Sequence, residues 1–265
     1  MIIQRKLQSH KGDNGRVLVV GGNELYHGAP ILSGLGAEKS GADLVYLMVP
    51  VNQQNLARQF SLNLIVDTFK GKFLKGSDIQ HVLGWSSKAD VMVIGNGLGE
   101  KPQTLRACRK IIEKCKCGLV VDAAALTAFI QIKNFTSSQR QIVLTPHRGE
   151  FSKIFKLNLE KLTNKEIQEL IKKKAGELGV TIVLKGPEDY IAGPRGELHV
   201  NKTGHPIMNK GGTGDILAGL IGGLMSQGMS GFEAAKKATE DWGKVGESMF
   251  KKKGLMVSVE DLLSG

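Results

Sequence analysis

Residues Asp90 to Ala123 read DVMVIGNGLGEKPQTLRACRKIIEKCKCGLVVDA. Two short runs rich in β-branched residues, DVMVIG and GLVVDA, flank a stretch from Gln103 to Lys116 whose apolar residues recur at helical spacing. Neither run alternates apolar with polar residues. That is the pattern of strands covered on both faces, and a helix between two such strands joins them in parallel.

The same alternation extends in both directions. RVLVVGG, DLVYLMV, LIVDTF, QIVLTP and VTIVLKG read as further buried strands, and Thr163 to Leu178 as another helix. DYIAGPRGELHVN departs from it: two short strand patterns flank Gly193, Pro194, Arg195 and Gly196, which predicts a hairpin added to the sheet. No Pro/Gly/Ser linker, composition break or repeat interrupts the chain. The expectation is an α/β fold with a mostly parallel central sheet, helices on each side, and one domain over residues 1–265. Five segments, VVGGNELYHGAP, VIGNGLGE, VVDAAAL, LTPHRGEF and VLKGPED, leave strands through glycine or a polar turn. Ligands of open parallel sheets bind beyond the carboxyl ends of the strands, so these segments are expected to face one cleft.

Asn209 to Leu220 reads NKGGTGDILAGL. Glycine inside a helix costs about 1 kcal/mol relative to alanine, so Gly211, Gly212 and Gly214 need a reason other than propensity. Ile216, Leu217, Leu220, Ile221, Leu224 and Met225 predict a helix from Gly212 or Thr213 to about Gln227. Its free amide groups and dipole favour an anion, and glycines there let the backbone approach a phosphate. Asp215 then sits in the first turn, either as the base that takes a proton from an attacking hydroxyl or as a complement to the helix dipole. Gly219, Gly222 and Gly223 read as marks of close helix packing.

Competing motifs fail. GNGLGE has its glycines in a GxGxG register rather than GxGxxG, which disfavours a Rossmann dehydrogenase, and the chain holds no GxxxxGK[ST], HRD or DFG element. The 36 Lys+Arg residues against 25 Asp+Glu give a net charge of +11, which favours anionic partners. Nucleic acid is disfavoured, because aromatic content is 5% and no aromatic residues interleave with the basic ones. The runs Lys172–Lys174 and Lys251–Lys253 read as solvated helix faces. Cys108, Cys115 and Cys117 have no second pair or histidine cluster near them and read as reduced thiols. The opening residues hold no signal-peptide core and no apolar run approaches the ~20 residues of a membrane span, so a cytoplasmic protein is expected, with no membrane partner.

The motifs together resemble the ribokinase-like, nucleotide-dependent NAD(P)H-hydrate dehydratases along almost the whole chain. HKGDNGRVLVVGGNELYHGAP is similar to that family's opening, GNGLG to its GPGLG, TPHRGEF to its TPHPGEF, GGTGDILAG to its signature, and GLMVSVEDLL to its close. GTGD alone indicates only phosphoryl transfer; with YHGAP and TPHRGEF it points to the dehydratase branch. The resemblance implies a single-domain ribokinase-like three-layer α/β/α sandwich that repairs hydrated NADH and NADPH, consuming ADP or ATP, with Mg²⁺ bridging phosphates and with assembly into a homo-oligomer such as a tetramer. It implies that Ala29, Gly97 and His147 contact the hydrated dinucleotide and that Asp215 touches its reactive hydroxyl as catalytic base. Lys185, Gly186, Pro187, Glu188 and Asp189, together with Gly212, Thr213 and Gly214, would form the nucleotide site. No metal ligand is readable.

Glu150 either organises its loop or starts a helix, Tyr26 and His27 either close over substrate or cap a turn, and Lys185 either neutralises phosphate or ends a strand. Three positions depart from the family: Ala124 replaces the second acid of DADAL, Asn96 replaces a proline, and Lys210 precedes Gly211. The alternatives are a small-molecule kinase of the same superfamily, acting on a sugar or hydroxymethylpyrimidine type of alcohol, and a non-catalytic nucleotide or nucleic-acid binder.

Overall fold

The computed structural model describes residue 5, residues 7–132 and residues 140–265. In chain order they form β1 (Arg16–Val20), α1 (Gly28–Lys39), β2 (Leu44–Pro50), α2 (Gln54–Arg58), β3 (Leu64–Phe69), α3 (Ile79–Ser86), β4 (Val91–Ile94), α4 (Pro102–Lys114), β5 (Gly118–Val121), α5 (Ala124–Ile130), β6 (Ile142–Leu144), α6 (Arg148–Phe155), α7 (Asn164–Leu178), β7 (Thr181–Leu184), β8 (Asp189–Ala192), β9 (Leu198–Asn201), α8 (Thr213–Ser226), α9 (Gly231–Lys253) and α10 (Val259–Ser264). Each of the seven runs expected as a buried strand is a strand, but LIVDTF, β3, is the sheet's edge and buries only Leu64 and Phe69, because no strand pairs beyond it. The predicted hairpin is β8 and β9, turned at Gly193–Gly196, where Gly193 N donates to Glu197 O at 3.0 Å.

One sheet runs in the order β3-β2-β1-β4-β5-β6-β7-β8-β9. Every pair from β3 to β7 is parallel, and β8 and β9 add antiparallel to that edge. Side chains alternate across the strands, so one face presents Leu18, Val20, Met92, Ile94, Leu119 and Val121 to α3–α7. The opposite face presents Val17, Val19, Val93, Val120 and Val143 to α1, α8, α9 and α10. The result is three layers, α/β/α. Right-handed crossovers account for it: β1 to β2 advances one way across the sheet and β4 to β5 the other, which puts their helices on opposite faces. Among the described residues no helix is long and apolar enough to cross a membrane.

Local signals set the helix ends. Thr163 caps α7 through a reciprocal box, Thr163 N donating to Glu166 Oε2 at 2.8 Å and Glu166 N to Thr163 Oγ1 at 3.3 Å. It is therefore the cap of the predicted helix and not its first residue. α4 stops at Lys114, two residues short of expectation, because Cys115 is extended (φ −70°, ψ 146°) and leads into β5.

α8 lies directly over β1, β4 and β5 and against α1. Its glycines make that approach possible. A methyl group at Gly219 would stand 1.9 Å from Ser33 O and 2.8 Å from Ala37 N, and one at Gly36 would stand 2.3 Å from Ile216 O. The packing role expected of Gly219, Gly222 and Gly223 is what the structure shows. Gly219→Ala sets two effects against each other: helix propensity gains about 1 kcal/mol, whereas overpacking costs about 1–3 kcal/mol or more. At 1.9 Å from backbone the overpacking wins, so thermal denaturation should show a lowered Tm; an unchanged or raised Tm would refute the close packing.

Candidate active site

The chain order reverses between β1 and β4, and beyond the carboxyl ends of those strands the backbone stays paired past the strands themselves. Gly22 N donates to Asn96 O at 2.9 Å, Asp122 N to Ile94 O at 3.1 Å, Thr145 N to Val121 O at 3.1 Å and Lys185 N to Pro146 O at 2.9 Å. These bonds align Asn96, Asp122, Thr145 and Lys185 along one rim. Helix α8 starts there, and its first turn delivers Asp215.

Asn96, wholly buried, donates from its one Nδ2 to Asp122 Oδ2 at 2.9 Å and to Asp215 Oδ1 at 2.7 Å. Asp122 is buried as well and accepts further from Thr145 Oγ1 at 2.7 Å and Lys185 Nζ at 3.0 Å, both on its Oδ1. Burial, then the neighbouring Asp122 charge, push the Asp215 carboxyl up to about 7, against the opposing pull of the Asn96 hydrogen bond and Lys185. Lys185 keeps its proton: burial works against the charge, but Asp122, Glu150 and Asp215 outweigh it and raise its pKa. Lys185 is thus committed to Asp122 while its Nζ lies 3.3 Å from where a side chain at Gly214 would begin.

The turn that sets Asp122 is strained. Ala123 takes φ 47°, ψ −126°, a region that costs a non-glycine residue about 1–3 kcal/mol. It bends the chain from β5 into α5, whose first residue, Ala124, is buried in the apolar core and supplies no acid. Asp122 and Asp215 are the two carboxylates that share this rim, with Glu150 close enough to act on Asp215 electrostatically.

Beside the acids opens a cavity of about 660 Å³, lined by Lys185, Gly186, Pro187 and Asp189 on one side and by Thr213, Gly214 and Leu217 of α8 on another. Gly212 caps α8 at φ 100°, a conformation suited to glycine, and keeps the helix start narrow. Thr213 directs its hydroxyl inward, donating to Met208 O at 2.7 Å. Asp189 holds the wall: it accepts from Gly186 N at 3.1 Å and from the buried Asn201 of β9 at 3.1 Å. Glu188 points elsewhere, 3.8 Å from Lys202. His147 caps α6, its Nδ1 accepting from Gly149 N at 3.1 Å and Glu150 N at 3.2 Å, while Glu150 returns the box by accepting from His147 N at 2.8 Å. Both open readings of Glu150 are therefore true, and His147 Nε2 lies 3.6 Å from the same Glu150 carboxylate. Gly97 (φ 71°) lies against Ala29 and Tyr26, a methyl there standing 3.1 Å from Ala29 Cβ, so two residues expected to share a ligand do adjoin. His27 precedes α1 without capping it through its side chain.

Trp242, Thr239 and His205 line this cavity without any sequence signal, and Arg148 stands next to its wall. Trp242 and Thr239 come from α9, and the Trp242 indole N–H is buried without a partner. His205 lines the same cavity and stacks on Phe250 with ring centroids 3.7 Å apart. Arg148 sits beside Gly186, with its guanidinium 5.8 Å from the Tyr190 ring. An aromatic N–H, apolar Leu217 and Met208, and the cations Lys185 and Lys210 together suit a flat heterocycle with phosphates. Among the described residues no three His, Cys, Asp or Glu side chains are grouped to hold a metal ion.

Comparison with known proteins gives concordant results. The sequence profile described as NAD(P)H-hydrate dehydratase matches residues 17–264. The chain is 39% identical over 266 residues to the ADP-dependent (S)-NAD(P)H-hydrate dehydratase of Nitrosopumilus maritimus, covering 99% of this chain and 90% of that one. It also matches bifunctional NAD(P)H-hydrate repair enzymes, of whose length it spans about half. Among solved structures, a ribokinase-like superfamily protein from Enterococcus faecalis superposes with a TM-score of 0.85 at 29% identity, over 98% of this chain and 88% of that one. The ADP/ATP-dependent NAD(P)H-hydrate dehydratase of Bacillus subtilis, co-crystallised with ATP and Mg²⁺, gives 0.81 at 25% identity, over 98% and 91%.

The partly buried Asp215 has a stability consequence whose sign is fixed. Its folded pKa of about 7 lies above the unfolded carboxylate value, so the native state binds the extra proton. The stability this carries is complete below about pH 4 and is lost as pH rises through 7, on the order of a few kcal/mol. Asp215→Asn, which cannot ionise, should gain Tm relative to the parent at pH 8 and not at pH 4. A pH-independent difference between the two proteins would contradict the burial of a charged Asp215.

Proposed function

The chain belongs to the NAD(P)H-hydrate dehydratase family, and from that premise we propose that it is a carbon-oxygen lyase that dehydrates hydrated NADH or NADPH with ADP or ATP. The observation that carries the reading is Asp215, held by Asn96 in the first turn of α8, whose neighbouring residues Thr213, Gly214 and Leu217 line a cavity sized for a nucleotide.

Hydroxide leaves a ring carbon poorly, whereas a phosphate ester leaves readily. The hydrated ring's hydroxyl attacks the terminal phosphoryl group of the nucleotide; the bond to the departing nucleotide breaks, and Asp215 takes the hydroxyl proton. Elimination of phosphate with loss of a ring proton then restores the reduced nicotinamide. A carboxylate whose pKa has been moved to about 7 is suited to accept that proton near neutrality and to release it afterwards. The amides at Gly212, Thr213 and Gly214 face the transferred phosphoryl group, where preformed N–H dipoles stabilise developing negative charge.

Lys185, Gly186, Pro187 and Asp189 line the side on which the nucleotide lies, and the cavity's aromatic wall takes its base. Glu188, turned toward Lys202, contributes to that turn. Ala29, Gly97 and His147 take the dinucleotide. Mg²⁺ would suit this donor set, since it keeps much of its hydration and needs no protein cage, and Asp122 and Glu150 would be the carboxylates beside it. When bound it neutralises phosphate charge. We further propose one catalytic domain over residues 1–265, a cytoplasmic location and a homo-oligomer; exposed Leu255 and Met256 supply apolar surface suited to self-association.

The test is recovery of reduced-nicotinamide absorbance from the hydrate with ADP or ATP and Mg²⁺. Turnover is expected with at least one nucleotide, and its absence from folded protein with both would refute the reading; a stable phosphorylated product would move the chain to the kinases. Asp215→Asn should lower kcat by about 10²–10⁴-fold while nucleotide still binds, and undiminished turnover would remove Asp215 from the base's role. The rate should rise with pH through about 7 as Asp215 loses its proton. Asn96→Ala removes a hydrogen bond that lowers the Asp215 pKa, so this limb should move to higher pH; a limb that stays put or moves down would mean that Asn96 does not tune the base.

A further inference from the structure

A second cavity, of about 810 Å³, lies at the opposite end of the sheet, where β1, β4 and β5 begin. Arg16, Asp90, Lys114, Arg140, Cys115 and Cys117 are among its walls. Nothing in the dehydration chemistry reaches it.

Cys115 follows the last turn of α4 on extended backbone, and Cys117 comes two residues later, just before β5. Residues spaced by two on an extended chain project to the same side, and the two sulfur atoms stand 3.8 Å apart. Cys115 is buried and Cys117 is partly exposed toward the cavity.

The surroundings separate these thiols from the third. Arg140 reaches back over the end of α4, donating to the carbonyl oxygens of Ile112 and Cys115, and its Nη1 lies 3.3 Å from Cys115 Sγ. A helix carboxyl end disfavours a thiolate; a guanidinium placed on the sulfur offsets that. The Cys117 hydrogen bond, and then Arg140, bring the Cys115 thiol down to about 7 against burial, and the same hydrogen bond, with burial, raises Cys117. Cys108, one helical stretch earlier, is sealed in the core and pushed up to about 12 by burial. The chain thus holds an activated thiol, a resolving thiol beside it and an inert one.

We propose that Cys115 and Cys117 form a peroxide-oxidised dithiol site, Cys115 being the sulfur attacked first and Cys117 the one that resolves it. The Cys115 thiolate attacks one oxygen of hydrogen peroxide; the O–O bond breaks, hydroxide leaves and takes up a proton as water, and Cys115 becomes a sulfenic acid, oxidised by two electrons. Cys117 sulfur then attacks Cys115 sulfur, the S–O bond breaks, and the departing hydroxide collects the Cys117 proton as a second water. Two thiols and one peroxide give one disulfide and two waters. The sulfurs must close from 3.8 Å to the ~2.05 Å of a disulfide, a movement within reach of side-chain rotation at a cavity wall.

The test treats the reduced full chain with equimolar hydrogen peroxide in native buffer, counts free thiols after denaturation, and maps the peptides by mass spectrometry. The expected result is loss of two thiols, a Cys115–Cys117 peptide lighter by the mass of two hydrogens, and an intact Cys108. Cys117→Ser should stop at a Cys115 sulfenic acid trapped by a cyclic dione reagent, and Cys115→Ser should slow thiol loss by roughly tenfold or more. Retention of all thiols under peroxide that oxidises free cysteine, disulfides only between chains, or oxidation of Cys108 alongside the pair would each overturn the proposal. Should either serine variant fail to fold, the peptide map of the parent protein decides by itself.

Discussion

Two carboxylates converge on a single amide. Asp122 and Asp215 both accept from Asn96 Nδ2, and one ammonium group, Lys185, faces the pair from the Asp122 side. Like charges this close resist joint ionisation, so the proton stays longer on the member with the weaker support. Asp122 has Thr145 and Lys185; Asp215 has only the shared amide and the more distant Lys185. The asymmetry makes Asp215 the member able to change state near neutral pH. It depends on four chain segments meeting at one rim, and the parallel sheet with its reversal between β1 and β4 is what brings them there.

The depth of Asp215 is set elsewhere, along the helix that carries it. α8 sits low over β1, β4 and β5 because Gly222 has no side chain to meet Val93, and low against α1 because Gly219 has none to meet Ser33 and Ala37, Gly223 none to meet Ser40, and Gly36 of α1 none to meet Ile216. Raising α8 by the width of a methyl group would draw Asp215 away from Asn96. The packing of the middle of the helix therefore bears on the chemistry of its first turn, and the glycines that look unfavourable for helix propensity belong to that geometry.

Much of this was legible in the chain. Continuous β-branched runs announced strands buried on both faces, the GGTGD turn announced a narrow helix start with an acid in its first turn, and strand-ending glycines announced a shared cleft. The rest required distance to be known. Asn96 and Asp215 are 119 residues apart, and nothing local says that an asparagine in a glycine loop will bridge two acids. His147 was expected only as a ligand contact, yet its Nδ1 is engaged by two backbone amides, a role histidine fills less often than Ser, Thr or Asp and so one that propensity does not signal. Trp242 reaches the cavity because α9 returns along the sheet, and His205 reaches it from the segment between β9 and α8, stacked on Phe250 of α9; neither stretch of sequence hints at that wall. The separation of the cysteines into a reactive pair and a sealed one likewise rests on Arg140, which lies beyond β5 in the chain.

The antiparallel hairpin has no reactive group at the rim, but it is not ornamental. Asn201 at the end of β9 reaches back to Asp189, which in turn fixes the amide of Gly186. The outermost strand thus acts as a buttress for the turn after β7. Two unlike parts of the molecule, a solvent-edge ribbon and a nucleotide-sized chamber, are mechanically one, so lengthening the tip at Pro194–Gly196 leaves the chamber's shape alone, whereas loosening the ribbon's far root changes what the chamber can hold.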